Sequence, residues 1–555
     1  MEKIKCHLAD IRNRQIIDSE ITIDYGKIAS ITPCDVPTDA PHVMPGFIDA
    51  HVHIESTLLT PENYAKLAIR QGNIASVCDP HEIANVLGKE GIEFMLDSAA
   101  KTRYIFSFGV PSCVPSTCFE TAGATLTAAD VEELMASGRF YGLAEMMNFP
   151  GVLMNDRETM AKIDSALKRG LKVDGHAPGL NEADSERYVK AGISTDHEMF
   201  DLNDAKIRLK LGQKIQIREG SAACNLEQLM PLLNDPQNVG DLMLCTDDKY
   251  PDELMDGYIN QMVARCVAKG IDVWNVLYAA CVAPVEHYNL PVGTLRQGDP
   301  ADFIIVRDFK DFNVLKTYIN GECVYGMGDD ACVVSTQHTS TPNNFTERTI
   351  SIADLQISAT PCRDDACVVS PLKIKVISAT EGALYTTCSI CDAKIVNNFI
   401  QSDTDHDILK LVIINRYENA RPAIAFINGF GLKRGAIAST IAHDSHNIIA
   451  LGCSDEEVAL AINTLERSHG GFCVVDGTTI AQLPLPVAGL MSNLPGEEIA
   501  AKHIELKRKA AEIGCRFKAP YMTLAFMVLP VIPELKLTDK GLFDGIKFGF
   551  TELIS

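Results

Sequence analysis

The chain is short of positive charge: 50 Lys and Arg stand against 73 Asp and Glu, a net charge of -23. Such a surface repels phosphate backbones and anionic bilayers, so neither nucleic acid nor a membrane is an expected partner. Long apolar runs are also missing. The N-terminus MEKIKCHLADIRNRQ has no hydrophobic signal region, and the longest apolar stretch near the C-terminus, Met522 to Ile532, is too short to cross a bilayer and contains Pro530. A soluble, unexported protein is expected. Paired cysteine motifs are almost absent: of 18 Cys, only Cys388 and Cys391 form a C-x-x-C, with no second pair at zinc-ribbon spacing. Cys78, Cys245, Cys281 and Cys473 lie in apolar runs, where reduced Cys behaves as a small hydrophobe; this fits a reducing cytoplasm.

What is present is organised around MPGFIDAHVHIE, Met44 to Glu55. A short apolar run bounded by turn residues ends in His51-Val52-His53, and in a strand the i and i+2 side chains share a face, so two imidazoles point one way. Neutral imidazole ligates zinc, iron or manganese. His-x-His alone is weak evidence; its weight depends on what ends the other strands.

At 555 residues and 46% hydrophobic, the chain suits a large barrel with accessory domains. From residue 44 to about 290, strand-length apolar runs alternate with helical stretches, the pattern of a parallel α/β fold. Eight such runs end at His51-Val52-His53, at Val77 to Glu82 (VCDPHE), at Phe108 to Pro111, at Leu143 to Met146 (LAEM), at Val173 to His176 (VDGH), at Thr195 to Glu198 (TDHE), at Ile215 to Glu219 (IQIRE) and at Leu244 to Asp248 (LCTDD). Eight strands make a (β/α)8 barrel, whose chemistry sits at the C-terminal strand ends. An open doubly wound sheet is the competing reading, but it would not bring the first and eighth strands together. Closure gathers His51, His53, Glu145, His176, His197 and Asp247 at one mouth. Singly, Asp247 could cap the following helix and His197 could be a core histidine.

The HVH of strand 1, a His on each of strands 5 and 6 and an Asp on strand 8 resemble the metal-dependent amidohydrolase superfamily. Within it, MPGFIDAHVHIES, CDPHE, GLAEMM, DGHAPGL, REGSA and LCTDD resemble the bacterial adenine deaminases, as do GFGLKRGAIAST and AHDSHN further on. The resemblance implies a binuclear divalent metal site, hydrolysis of adenine to hypoxanthine and ammonia, and Glu145 where many relatives carry a carboxylated lysine that bridges the metals. Manganese leads as the metal, with iron or zinc as alternatives, since mixed imidazole and carboxylate ligands suit all three. A homodimer is compatible with it.

The chemistry follows independently. Attack at an aromatic C6 needs water made nucleophilic at neutral pH, which divalent metals provide, and a proton carrier. Asp247 is the candidate carrier, with Glu82 and Asp248 behind it. His81, Glu82, Glu219 and Asp248 are candidates to hold the purine; each could instead orient a ligand histidine, and Asp79 is equally ambiguous.

Residues 3–33 alternate as short antiparallel strands, and the segment 1–43 is expected to pair with the return strands at 291–326, making one composite β-sandwich from both flanks of the 44–290 barrel. Residues 327–370 read as a linker carrying DDACVVS twice, at Asp329–Ser335 and Asp364–Ser370. Residues 371–555 read as a second domain, α/β or α+β, whose most polar cluster, Ala442 to Asn447, holds His443 and His446; a structural or lid role is expected for it. Two other functions stay open: a hydrolase acting on another purine or cyclic amide, and a non-catalytic scaffold on the same fold.

Overall fold

The computed structural model describes residues 1–326, 340–359 and 372–555. Both DDACVVS copies lie outside them. The N-terminal strands are β1 (Glu2–Asp10), β2 (Gln15–Asp24), β3 (Lys27–Pro33) and β4 (His42–Pro45). Eight barrel strands follow: β5 (Phe47–Val52), β6 (Asn73–Cys78), β7 (Ile105–Phe108), β8 (Gly142–Met146), β9 (Lys172–Gly175), β10 (Thr195–Asp196), β11 (Lys214–Arg218) and β12 (Leu242–Cys245). They match the eight apolar runs read from the sequence.

All barrel pairings are parallel: β5 with β6 and β6 with β7, β8 with β9, and β10 with β11 and β11 with β12. Single contacts join these groups into a ring. Val110 bridges Leu143, Ser194 N donates to Val173 O at 2.8 Å, and Val52 bridges Asp247. The last contact closes the barrel, since Asp247 N donates to His51 O at 2.9 Å. Strand ends from opposite sides of the sequence thus share one mouth.

After the barrel come β13 (Phe303–Val306), β14 (Val314–Ile319) and β15 (Glu322–Gly326). They join the N-terminal strands in one seven-stranded sheet, ordered β15-β14-β13-β4-β1-β2-β3. The β14–β15 hairpin turns at Asn320-Gly321, both at positive φ (49° and 75°), which is the two-residue turn that matches strand twist.

The C-terminal domain has β16 (Lys373–Ser378), β17 (Thr387–Asp392), a side hairpin of β18 (Lys394–Val396) and β19 (Phe399–Gln401), then β20 (Leu409–Ile414), β21 (Ala423–Asn428), β22 (Ala436–Ser439), β23 (Ile448–Gly452), β24 (Gly471–Asp476) and β25 (Thr479–Pro484). Its eight-stranded sheet is antiparallel except where β16 meets β21, so of the two classes expected it is α+β. The helix Asp455–Ser468 starts where Ser454 accepts a hydrogen bond from Glu457 N, satisfying a helix-end donor. Cys388 and Cys391 lie on β17, a half-buried edge strand, as free thiols.

This domain roofs the barrel mouth. The loop after β7 is tied to it by Lys540 Nζ, which donates to Cys118 O and Glu120 O at 3.0 Å, and by Thr121 N, which donates to Asp539 Oδ1 at 2.8 Å. On another side, Asp252 of the helix Pro251–Asp256 receives His503 at 2.8 Å and Lys507 at 2.7 Å from the helix Gly496–Glu512. One continuous apolar core runs through both domains.

Below the mouth, fully buried Arg208 holds Asp196 Oδ2 at 3.1 Å and Ala177 O at 2.7 Å, pinning the two segments that carry His197 and His176. Arg208→Ala leaves the Asp196 carboxylate buried and unpaired, which costs about 3–5 kcal/mol. A clearly lowered midpoint of urea unfolding is expected; an unchanged midpoint refutes this role.

Candidate metal centre

The six strand-end residues converge. His51, His53, Glu145, His176, His197 and Asp247 are all buried at the barrel mouth. His51 Nε2 and His53 Nε2 lie 3.2 Å apart, and His53 Nε2 is 3.1 Å from Asp247 Oδ1. Glu145 sits between two groups of imidazoles. Its Oε2 is 3.1 Å from His176 Nδ1, 3.2 Å from His197 Nε2 and 3.5 Å from His51 Nε2, while Oε1 is 3.6 Å from His53 Nε2 and 3.6 Å from His81 Nδ1.

The donor set fits divalent metal ions. His53 Nδ1 faces Asp79 O at 3.1 Å, so that nitrogen carries the proton and Nε2 turns a lone pair inward, as a ligating histidine requires. Both ring nitrogens of His197 and Nε2 of His176 are buried without a hydrogen-bond partner. Buried polar atoms are rarely left so, and a cation among them would satisfy them. Three overlapping groups drawn from His51, His53, Asp79, His81, Glu145, His176, His197 and Asp247 have ligand atoms close enough to share an ion.

The carboxylates are kept anionic. Burial alone would raise the proton affinity of Glu145, but His176, His197 and His53 outweigh it and hold the carboxyl well below its usual range. Asp247 behaves likewise: burial is overcome by Arg218, then by His51 and His53. Asp248 goes the other way, raised by burial and by the charge of Asp247; its Oδ1 accepts from Ser56 Oγ at 2.5 Å.

His81 and Glu82 open the helix His81–Leu87 and line the same cavity as Asp248. Glu82 is engaged from above: His443 Nδ1 lies 2.7 Å from its Oε1, and His446 Nε2 contacts its Oε2. His446 Nδ1 accepts a hydrogen bond from Ala442 N at 3.3 Å, so its proton sits on Nε2 and is donated to Glu82. A nitrogen in that state is a donor and not a metal ligand. The Ala442–Asn447 segment therefore sits at the barrel mouth and holds Glu82 in place.

Glu219 is not brought to the cluster. Its carboxylate pairs with Arg265 on the helix Ile259–Ala268, outside the cavity that His81, Glu82 and Asp248 line. Its neighbour Arg218 points inward instead, donating to Asp247 Oδ2 at 2.6 Å and pairing with Glu198. Arg218 and Glu198 are the site residues that sequence reasoning missed. The available signal was strand alternation: Gln216, whose Nε2 reaches across the barrel to Ala50 O at 2.8 Å, shares its face with Arg218 and not with Glu219.

A closed parallel barrel with this cluster at its C-terminal mouth defines a metal-dependent hydrolase class, and residues 42–324 match the model of the amidohydrolase family. Residues 383–549 match the adenine deaminase C-terminal domain. Proteins named adenine deaminase align along the whole chain. That of Methanosarcina mazei is 46% identical over 100% of both chains, and that of Methanosarcina barkeri is 47% identical over 99% of this chain and 98% of its own. That of Borreliella burgdorferi is 44% identical, with 99% of each chain covered. The chain belongs to the adenine deaminase family.

Proposed function

We propose that the protein hydrolyses adenine to hypoxanthine and ammonia at a centre of two divalent ions held by His51, His53, Glu145, His176, His197 and Asp247. The observation that carries this is Glu145, whose two oxygens face separate sets of imidazoles, the arrangement a bridging carboxylate needs. Manganese is the metal we favour, with iron or zinc as alternatives of the same ligand preference. Bound there, the ions supply the Lewis acidity that makes water nucleophilic near neutral pH.

The chain's own residues move the protons. Asp247 takes one from the attacking water as the C6–O bond forms, and Arg218 keeps its basicity low enough that the proton is passed on. The proton taken by Asp247 goes by way of Asp248, whose proton affinity is raised, to the ring nitrogen beside C6, so neither carboxylate ends the turnover with a changed proton count. As the C6–N bond breaks, the hydroxyl proton moves to the leaving amine and ammonia departs. His81 and Glu82 hold the base, Glu82 fixed by His443 and His446. Glu219, paired with Arg265, is left out of this role. Among the described residues every cysteine with an assigned state is free, and no helix is long and apolar enough to cross a membrane; we place the enzyme in the cytoplasm.

Among the described residues lining the cavity, the one side chain of fixed positive charge is Arg218, which is occupied by Glu198 and Asp247, so none of them is free to hold a phosphate. Ammonia release is therefore expected from adenine and not from adenosine monophosphate, guanine or cytosine, with no ring opening of hydantoin or dihydroorotate. Equal efficiency on adenine and its nucleotide overturns the reading, and ring opening of hydantoin without ammonia release from adenine favours a cyclic-amide hydrolase.

A further inference from the structure

Two atoms of the C-terminal domain stand unpartnered in the active-site cavity. Asp444 Oδ2 and His443 Nε2 are buried and make no hydrogen bond, on residues that are each 2% exposed. Both residues line the cavity with His81, Glu82 and Asp248. Asp444 Oδ1 is 4.0 Å from His81 Nε2, so only its other oxygen lacks a neighbour of opposite character. The ring of His443 is stacked on Phe526 at 4.4 Å between centroids, and its Nδ1 is committed to Glu82. The orientation of the pair is thus set by the roof. A third metal ion among Glu82, His443 and His446 would account for neither atom, because His446 already donates from Nε2.

A buried carboxylate oxygen without a donor costs free energy until a ligand brings one. Adenine has two kinds of N–H. The exocyclic amino group must lie at the metal ligands, where C6 reacts. With C6 there, the five-membered ring faces away from the barrel and toward the roof, and it carries the remaining N–H. Resting on the adenine reading above, we propose that Asp444 is a specificity-determining residue whose Oδ2 accepts the imidazole-ring N–H of the free base, with His443 Nε2 beside it facing the adjacent ring nitrogen. A substituent on N9 removes that hydrogen and leaves the carboxylate buried and unpaired. The roof thereby selects the free base over its nucleoside.

The test compares kcat/KM for adenine and 9-methyladenine in the metal-loaded wild type, Asp444→Leu and Asp444→Ala. A site built around one hydrogen bond to N–H rejects the analogue lacking it strongly, so the wild-type ratio should be on the order of 10³ or more. Leu keeps the bulk and Ala opens space, yet both lack an acceptor; in each the ratio should fall ~10²-fold through loss of adenine activity. A merely structural role for Asp444 would lower both substrates together and leave the ratio unmoved. A wild-type ratio retained in either folded variant overturns the assignment. Wild type inactive on adenine would instead defeat the proposed function.

Discussion

Glu145→Gln is expected to leave the protein with no more than one divalent ion per chain after metal supplementation, and with turnover lowered on the order of 10³-fold. Glutamine keeps the shape of the side chain and loses the charge. In the native site that charge faces three imidazole nitrogens through one oxygen and two through the other. A neutral amide cannot bridge two cations, and one ion's Lewis acidity contributes several kcal/mol to the transition state, about tenfold in rate for each 1.4 kcal/mol. Elemental analysis alongside the rate separates lost metal from lost chemistry. A variant holding two ions at full turnover would show that Glu145 does not bridge.

Asp247→Asn is expected to keep both ions and lose on the order of 10²–10⁴ in kcat, the usual contribution of a positioned proton carrier. Asparagine retains an oxygen for the metal but accepts no proton. Arg218 sharpens the comparison. It pairs with Asp247 Oδ2 at 2.6 Å, so the oxygen that faces His53 is the one left for metal and water. A kcat within about tenfold of wild type, with both ions bound, would remove Asp247 from the proton path and leave Glu82 or Asp248 to carry it.

The barrel was legible because its strands are short and apolar and seven of the eight carry His, Asp or Glu at their ends. Even β10, only Thr195–Asp196, could be placed, since His197 follows it directly. Closure was inferred from the need to join strands 1 and 8, and the Val52–Asp247 bridge makes that join. What was not legible depended on phase or distance. Placing Glu219 at the mouth was a one-residue error in which side of β11 faces inward, and one residue turns a strand's side chain to the opposite face. Glu198 gave no local cue, because a second acid beside a ligand histidine looks like any loop acid. The tie between Glu82 and the Ala442–Asn447 segment had no signal at all: a histidine pair with one adjacent acid says nothing about a carboxylate in another domain. For the same reason the C-terminal domain could be given its α/β or α+β class from its pattern, and not its place over the barrel mouth.

The contact between Glu82 and His446 spans 364 positions. At the ~5–20 residues per second of synthesis, roughly 20–70 s separate the appearance of the two on a ribosome. The candidate ligand set is complete only once Asp247 has been made, and the 199 positions from there to His446 take roughly 10–40 s, during which the roof is unfinished. A barrel that folds in that interval exposes to solvent, until the roof is made, the imidazoles and carboxylates that the finished chain buries.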